Sequence, residues 1–178
     1  MPIFVVNGVS GSGKSTFESL VKAAAKADEN DVLLLSMAAD VKDFCAECLG
    51  WDGGRDEKSR KLLADIISAL SDYKEVPRLC ICNTIFEAMG DKINGKAKWR
   101  AIFIDARELK DIAWFENNLK ALSIYVQREN MTNNWSNEAD KQATMQYPYE
   151  LYIKNNGTLD DLRENAIAFY NVFIKNRG

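Results

Sequence analysis

The chain has 178 residues, of which 47% are hydrophobic and 28% are charged, a composition typical of a globular protein with one domain. Its formal net charge of −3 argues against a general attraction to nucleic acid or to an anionic membrane. A local basic cleft for polymeric nucleic acid stays open, because net charge does not locate the arginines. The chain has no histidine, which excludes Ser-His-Asp and Cys-His hydrolysis.

The sequence shows no membrane-directed segment. No apolar stretch approaches the roughly 18 to 20 residues that a membrane-spanning helix needs. The first residues, Pro2-Ile3-Phe4-Val5-Val6, carry neither the basic leader nor the small-residue cleavage site of a secretory signal. We therefore expect a cytoplasmic protein without a membrane partner.

Four cysteines occur as two pairs, Cys45-x-x-Cys48 and Cys80-x-Cys82. Four thiolates are enough to bind a zinc ion. Both pairs, however, lie in apolar, helix-like runs that lack the glycine or proline turns of zinc knuckles. We favour the interpretation that they are buried free thiols in a reducing compartment, and a metal site stays the alternative.

Strand-like and helix-like patterns alternate along the chain. Short aliphatic runs predict strands at residues 3–6, 32–35, 101–104, 122–126 and 151–153. Longer segments predict helices at residues 14–27, 39–49, 57–70, 77–89, 108–120 and 159–174. Thr158, followed by an acidic first turn, is the predicted cap of the last helix. This alternation predicts an α/β fold, a three-layer α/β/α sandwich on a mostly parallel five-stranded sheet.

A glycine-rich turn lies between the first predicted strand and the first predicted helix. It matches the pattern Gly8-x-x-x-x-Gly13-Lys14-Ser15. Glycines permit a backbone curl whose N–H groups hold phosphate oxygens, and the following helix points its positive end at the same anion. The lysine of such a loop reaches the β- and γ-phosphates, and its serine hydroxyl ligates Mg²⁺. The turn therefore predicts a site for ATP and Mg²⁺ formed by Gly8, Ser10, Gly11, Ser12, Gly13, Lys14, Ser15 and Thr16.

The loop alone does not distinguish kinases from other P-loop proteins. A chain of 178 residues leaves little room for the extra strands of larger ATPases, and no Asn-Lys-x-Asp tetrapeptide is present to read guanine. Small-molecule kinases add arginines on a flap and a lid, because the transition state spreads negative charge over the transferred group. We predict a single domain over residues 1–178 with a P-loop kinase fold, a helical substrate-binding flap at residues 37–92 and a small lid at residues 127–147.

Polar side chains follow the third and fourth predicted strands. Ligands bind at the carboxyl ends of strands in open α/β sheets, and there the chain has Asp105, Arg107 and, one strand later, Arg128. Asp105 is a candidate for Mg²⁺ and for substrate binding, and the two arginines are candidates for catalytic contacts with phosphate. The structural alternatives are a salt-bridged pair for Asp105 and Arg107, and a solvated loop position for Arg128.

The predicted flap contains further candidates. Asp40 and Lys42 follow the second strand, in the usual neighbourhood of an acceptor site, and Arg55 and Arg60 flank the glycine break before the next helix. These four are candidate substrate-binding residues. A solvated helix face explains the two arginines equally well.

Taken together, these segments resemble the deoxynucleoside monophosphate kinase family known from bacteriophages, which is similar to animal-type phosphomevalonate kinases and more loosely to adenylate kinase. Residues 7–16, 38–43, 104–107 with 111–115, and 151–159 carry the resemblance. The first segment is specific by itself, and the others contribute through their order and spacing.

The resemblance implies transfer of the γ-phosphoryl group of ATP to a (deoxy)nucleoside 5′-monophosphate, with that nucleotide as the small-molecule partner. It implies that Lys14, Ser15 and Thr16 serve ATP and Mg²⁺. It also implies the host cytoplasm as the location if the chain is encoded by a phage.

By the same resemblance, Arg107 matches an arginine at a strand end near the phosphates, and Arg128 matches a lid arginine. Arg60 matches an arginine of the substrate flap more weakly. The chain departs from the family pattern in one respect, because its lid after Arg128 contains Lys141 but no second arginine.

Two alternatives stay open beside a nucleoside monophosphate kinase. The first is a P-loop kinase that phosphorylates a hydroxyl group, for example on a hydroxymethylated pyrimidine in phage DNA, with Asp40 as the carboxylate beside the attacking oxygen. The second is a non-catalytic, ATP-binding regulatory protein. The sequence does not fix the acceptor base or sugar, and it leaves a homodimer open.

Overall fold

The computed structural model describes residues 1–54, 56–93, 96–129 and 146–176. Its strands are β1 (Ile3–Asn7), β2 (Val32–Ser36), β3 (Lys92–Ile93), β4 (Lys96–Ala97), β5 (Ala101–Asp105), β6 (Leu122–Gln127) and β7 (Leu151–Lys154). Its helices are α1 (Lys14–Ala27), α2 (Ala39–Leu49), α3 (Glu57–Lys74), α4 (Val76–Gly90), α5 (Leu109–Leu119) and α6 (Leu159–Tyr170). A π-helical segment, Asn171–Lys175, continues α6.

Five strands form one sheet in the order β2-β5-β1-β6-β7, and every pairing in it is parallel. The predicted α/β fold on a five-stranded sheet is confirmed. The central strand β1 is buried along its whole length, because helices cover both faces of the sheet. In a parallel sheet all carboxyl ends lie at one edge, so the residues that follow β1, β5 and β6 come together there.

Each face of the sheet has its own hydrophobic core. Successive side chains of a strand point to opposite faces, so Phe4 of β1 joins one core and Val5 joins the other. The first core lies under α1 and α6, where Phe17 and Phe169 pack edge-on at 5.4 Å between ring centroids. The second core includes residues of α4 and α5, among them Ile81.

The predicted elements agree with the structure except at two places. Helix α3 continues to Lys74 rather than to residue 70, and it ends where Glu75 takes the left-handed conformation with φ of 51°. The antiparallel pair of β3 and β4 was not predicted, because it consists of only two residues on each strand. Most of the predicted lid, residues 130–145 with Lys141, lies outside the described residues, as does Arg55.

The predicted cap of the last helix is confirmed. The Thr158 hydroxyl accepts a hydrogen bond from the Asp161 N–H at 3.2 Å, and the Asp161 carboxylate accepts one from the Thr158 N–H at 2.6 Å. This reciprocal pair satisfies two backbone donors that the first helical turn leaves unpaired. It fixes the start of α6 directly after the turn that follows β7.

The cysteines are free thiols with unequal burial. Cys45 is buried as expected, Cys80 and Cys82 are half-buried, and Cys48 is exposed, so the prediction of buried thiols is wrong for Cys48. Cys48 lies one turn beyond Cys45 on α2 but faces away from the other helices. Within the described ranges, no three side chains of the metal-ligating types cluster, and no helix has the length and apolar character to cross a membrane.

A buried ion pair joins the predicted flap to the sheet domain. Arg78 of α4 donates to the Asp111 carboxylate of α5 at 2.7 Å, and both side chains are about nine-tenths buried. The guanidinium also contacts Glu75 at 2.6 Å and lies 4.9 Å from the ring centre of Trp114. Burial raises the pKa of Asp111 even though Arg78 opposes the shift, so this carboxylate depends on its partner.

We expect Arg78→Ala to lower the free energy of unfolding by about 3–5 kcal/mol, because it leaves the Asp111 carboxylate buried without a counter-charge. Urea titration followed by circular dichroism measures the change. The matched control is Lys61→Ala, which removes the exposed Lys61–Asp65 pair and should cost no more than about 0.5 kcal/mol. Equal, small effects of both substitutions would contradict the role assigned to Arg78.

Candidate active site

The glycine-rich turn lies at the carboxyl end of the central strand, between β1 and α1. Gly8, Gly11 and Gly13 all have positive φ, at 149°, 81° and 99°. The Ser12 N–H donates to the Val9 carbonyl at 3.1 Å and closes the curl of the backbone. The first residue of α1 then follows Gly13 directly, so the turn leads straight into the N-terminus of a helix, which is the geometry that favours an anion.

Two of these glycines are required by close contacts as well as by their conformation. A Cβ atom on Gly8 would lie 2.5 Å from the carbonyl oxygen of Val126 in the neighbouring strand β6. A Cβ atom on Gly13 would lie 2.3 Å from the side-chain nitrogen of Asn155. The loop is thus packed against the sheet on one side and against the turn after β7 on the other.

Two buried asparagines hold the loop, and neither was predicted as a site residue. The Asn7 side chain accepts from the Gly8 N–H at 2.5 Å and donates to the Arg107 carbonyl at 3.2 Å. The Asn155 side chain donates to the Ser12 carbonyl at 2.8 Å. These bonds tie the loop to the ends of β1, β5 and β7. Burial of an amide beside a glycine loop depends on tertiary packing, so no local sequence pattern identifies these two residues.

The P-loop lysine contacts its own loop. Lys14 is buried, and its ammonium group donates to the Gly8 carbonyl at 2.6 Å and to the Val9 carbonyl at 3.3 Å. The Lys14 ammonium group, which the sequence analysis predicts to bind phosphate, therefore lies at the loop. A phosphate that enters the loop would meet the ammonium group there.

The remaining loop residues differ in their exposure to solvent. Ser10, Gly11, Ser15 and Thr16 are exposed, so the hydroxyl groups of Ser15 and Thr16 are accessible at the start of α1. Ser12 is buried, and its hydroxyl has no hydrogen-bond partner among the described residues. The predicted contact of Ser12 with ATP stays a prediction.

Asp105 ends β5 on the same side of the sheet as α1. It lies in register with Ser36 of β2 and with Val6 of β1, whose side chain belongs to the core under α1. Its carboxylate oxygen Oδ1 is buried and has no hydrogen-bond partner within the described part of the chain. The predicted metal candidate is therefore positioned beside the first turn of α1, with an oxygen still to be satisfied.

A second carboxylate, Glu18, lies at this place and was not predicted. Glu18 is one turn after Lys14 on α1, and only 6% of its surface is exposed. Burial, together with repulsion from Asp105, raises the pKa of Glu18 to about 8, and attraction to Lys14 opposes this shift. Glu18 lies four residues after the lysine on the same helical face, but nothing in the local sequence shows that the fold buries it.

The other predicted residues lie around this edge with different surroundings. Arg107 follows β5 and Arg128 follows β6, and both side chains are exposed. Lys42 and Arg60 are exposed at the starts of α2 and α3, in the predicted flap rather than at the sheet edge. Asp40 is exposed in the first turn of α2; burial of the Cys80 thiol on α4, and after it the nearby Asp40 carboxylate, raise the pKa of Cys80.

A cluster of tyrosines lies beside the loop on the face opposite α1. Tyr125 of β6 is in register with Asn7, and its ring centre is 4.9 Å from that of Tyr149. Tyr147 packs against Tyr149 at 4.8 Å and donates a hydrogen bond to the Glu116 carboxylate. The cluster was not predicted, because these tyrosines are separated in sequence and are brought together by the pairing of β6 with β7.

Comparison with known proteins gives a fold likeness only. No family model matches the sequence, and no curated protein matches it. Among solved structures, a mutant of the APS kinase CysC from Mycobacterium tuberculosis is similar, with a TM-score of 0.47 and 13% identity over 96% of each chain. An unliganded sugar kinase from Janibacter sp. HTCC2649 has a TM-score of 0.45 and 14% identity over 97% of this chain and 96% of its own. At these values the likenesses identify no activity for this chain.

We expect Gly13→Ala to abolish nucleotide binding and to lower thermal stability, because the new Cβ meets the Asn155 side chain in a backbone conformation that alanine disfavours. Thermal unfolding with and without ATP measures both effects. The matched control is Gly50→Ala, at φ of 69° with open space around it, which carries the conformational cost alone. Equal effects of the two substitutions would show that the contact with Asn155 is unimportant.

The buried Glu18 predicts a pH-dependent stability. Its pKa is about 8 in the folded chain and near the ordinary 4.5 in the unfolded chain, so between these values the folded state holds one proton more. The free energy of unfolding therefore falls as pH rises through this window, by about 1.4 kcal/mol per unit from this group. Urea titrations from pH 5 to pH 8 should show this fall in the wild type relative to Glu18→Gln, and parallel profiles would contradict it.

Proposed function

We propose that this protein is an ATP-dependent phosphotransferase that transfers the γ-phosphoryl group to a (deoxy)nucleoside 5′-monophosphate. The observation that carries the proposal is the loop from Gly8 to Lys14, with three positive-φ glycines at the end of the central strand and a lysine ammonium group beside it. Its backbone is held by buried side chains on both sides. Such a rigid ring of N–H groups suits the phosphates of a nucleoside triphosphate.

The residues at the start of α1 and the end of β5 fit a Mg²⁺ ion. Ser15 presents an accessible hydroxyl, and Asp105 has a buried carboxylate oxygen without a hydrogen-bond partner in the described structure. Hydroxyl and carboxylate oxygens are the hard ligands that Mg²⁺ takes. Ser15 and Asp105 would hold the ion beside the phosphates, where it would supply positive charge against the negative charge of the transferred group.

The chain's own side chains supply the rest of the phosphate chemistry. The ammonium group of Lys14 already lies at the loop, so it can stay close to the phosphoryl group during transfer. Arg107 and Arg128 extend from the ends of the two strands that flank β1. Positive charge at this edge would stabilise the negative charge that spreads over a phosphoryl group in transfer, and such stabilisation is the main source of rate in these reactions.

The surroundings of the phosphate site support a nucleoside monophosphate as the acceptor. A monophosphate is already anionic, so alignment and charge neutralisation suffice and no general base is needed. Tyr125, half-exposed at the end of β6 beside the loop, is an aromatic surface on which a base can stack. The flap helices α2 to α4 follow β2, whose carboxyl end lies at the same edge.

A hydroxyl acceptor would require a carboxylate to take its proton, and Asp40, exposed in the first turn of α2, is the candidate for that role. The choice between the two classes of acceptor therefore rests on the turnover of the substrates themselves.

We expect ATP-dependent formation of nucleoside diphosphate from at least one member of a panel of dNMPs and NMPs. Lys14→Ala and Arg107→Ala should each lower turnover by about 10²-fold or more, because both remove positive charge from the transferred group. Coupled detection of ADP and direct chromatography of the products measure the effect. Arg163→Ala on the exposed face of α6 is the matched control and should keep wild-type turnover.

Other outcomes point to specific alternatives. Turnover of a hydroxymethylated pyrimidine with none of any monophosphate would replace the proposal by a hydroxyl kinase. ATP binding without turnover of any acceptor would indicate a regulatory ATP-binding protein. Near-normal turnover in Arg107→Ala would remove that residue from the catalytic group.

A further inference from the structure

The proposed phosphate chemistry leaves the buried carboxylate of Glu18 without a role. A carboxylate is rarely buried to this degree without a partner, because removal of charge from water is costly. Glu18 is 6% exposed, and its oxygen Oε1 has no hydrogen-bond partner in the part of the chain that the structure describes. A buried carboxylate oxygen in this condition indicates a missing cation or donor.

The side chains around Glu18 indicate that a cation, and not a hydrogen-bond donor, is the partner of this oxygen. Glu18 interacts repulsively with Asp105, whose oxygen Oδ1 is buried and equally unsatisfied. The positive group that interacts with Glu18 is Lys14, and its ammonium group is already shared with the Gly8 and Val9 carbonyls. With Glu18 ionised, two carboxylates and one shared ammonium group leave an excess of negative charge beside the loop, which a bound cation would offset.

This excess of negative charge lies where the proposed function places the ion that is bound to the nucleotide. Ser15 precedes Glu18 by three residues, so the two side chains are neighbours along one side of α1. Asp105 approaches the same helix from β5, on the face of the sheet that α1 covers. A hydroxyl and two carboxylates thus converge on one place from two elements of the fold.

We propose that Glu18 is a second carboxylate of the divalent-cation site, and that it binds Mg²⁺, directly or through a water ligand of the ion, together with Asp105 and Ser15. The inference rests on the proposed function, because the ion arrives with the nucleotide phosphates. Hard oxygen ligands of this number and charge suit Mg²⁺, which binds through one or two carboxylates plus substrate phosphates. The two unsatisfied oxygens acquire a cation when the complex forms.

The test measures metal binding rather than activity. Mn²⁺ replaces Mg²⁺ as the probe, and electron paramagnetic resonance counts free Mn²⁺ in titrations of the full chain saturated with a non-hydrolysable ATP analogue. We compare the wild type with Glu18→Gln, which keeps size and hydrogen-bonding capacity but removes the charge. Glu164→Gln, the same change at an exposed position of α6, is the matched control.

We expect Glu18→Gln to weaken Mn²⁺ binding by about 10- to 100-fold, the usual effect of removing a group that holds a metal or its ligands. Affinity for the analogue without metal should stay equal or rise, because a negative charge near the phosphates is lost. Glu164→Gln should match the wild type in both titrations.

Each result decides a different question. Equal Mn²⁺ affinity of Glu18→Gln and the wild type would overturn the inference and leave the proposed function intact. Equal loss of metal-free and metal-dependent nucleotide binding would assign Glu18 a purely structural role and also overturn it. Failure of the wild type to bind the Mn²⁺ nucleotide complex would overturn the proposed function, and the inference with it.

Discussion

The site depends on how closely the glycine loop approaches the sheet. A single added carbon at Gly8 would come within 2.5 Å of the Val126 carbonyl oxygen. Val126 belongs to β6, which pairs with β1 in the sheet. The loop therefore has no freedom to move independently of the two strands beneath it. Parallel pairing sets the position of the strands, and the strands in turn set the direction of the N–H groups that would receive phosphate.

The same edge of the sheet carries chemically different side chains on its two faces. The face covered by α1 carries Glu18 and Asp105 next to Lys14. The opposite face carries Tyr125 and the residues of the tyrosine cluster. Under the proposed function, a nucleotide phosphate chain at this edge would meet acid and ammonium groups toward α1 and aromatic surface on the other face. The donor and the acceptor of the proposed reaction would then have different surroundings.

Local sequence patterns predicted much of this structure. The run before Gly8 and the helix after it, the strand ends at Asp105 and Arg107, and the Thr158 cap each depend on residues close together in the chain, and the sequence located them. These features follow from short-range effects, namely the spacing of hydrophobic residues, the backbone preferences of each residue and capping hydrogen bonds.

The unpredicted features depend on contacts between distant residues. Arg78 and Asp111 are 33 positions apart, and their ion pair requires α4 to pack on α5. Glu18 reads in the sequence as one more charged residue on an amphipathic helix, and only the packing of α1 against β5 makes it buried. These contacts are determined by the three-dimensional packing of the chain and not by its local sequence.

The hydrogen bond from Asn155 to the Ser12 carbonyl joins residues 143 positions apart. On the ribosome, the glycine loop leaves the exit tunnel while this partner has yet to be synthesised. The nascent chain therefore carries a glycine loop that is held only from the side of β1 until β7 has emerged and paired with β6. The loop consequently reaches its final form late in the life of the polypeptide, after almost the whole sheet has assembled.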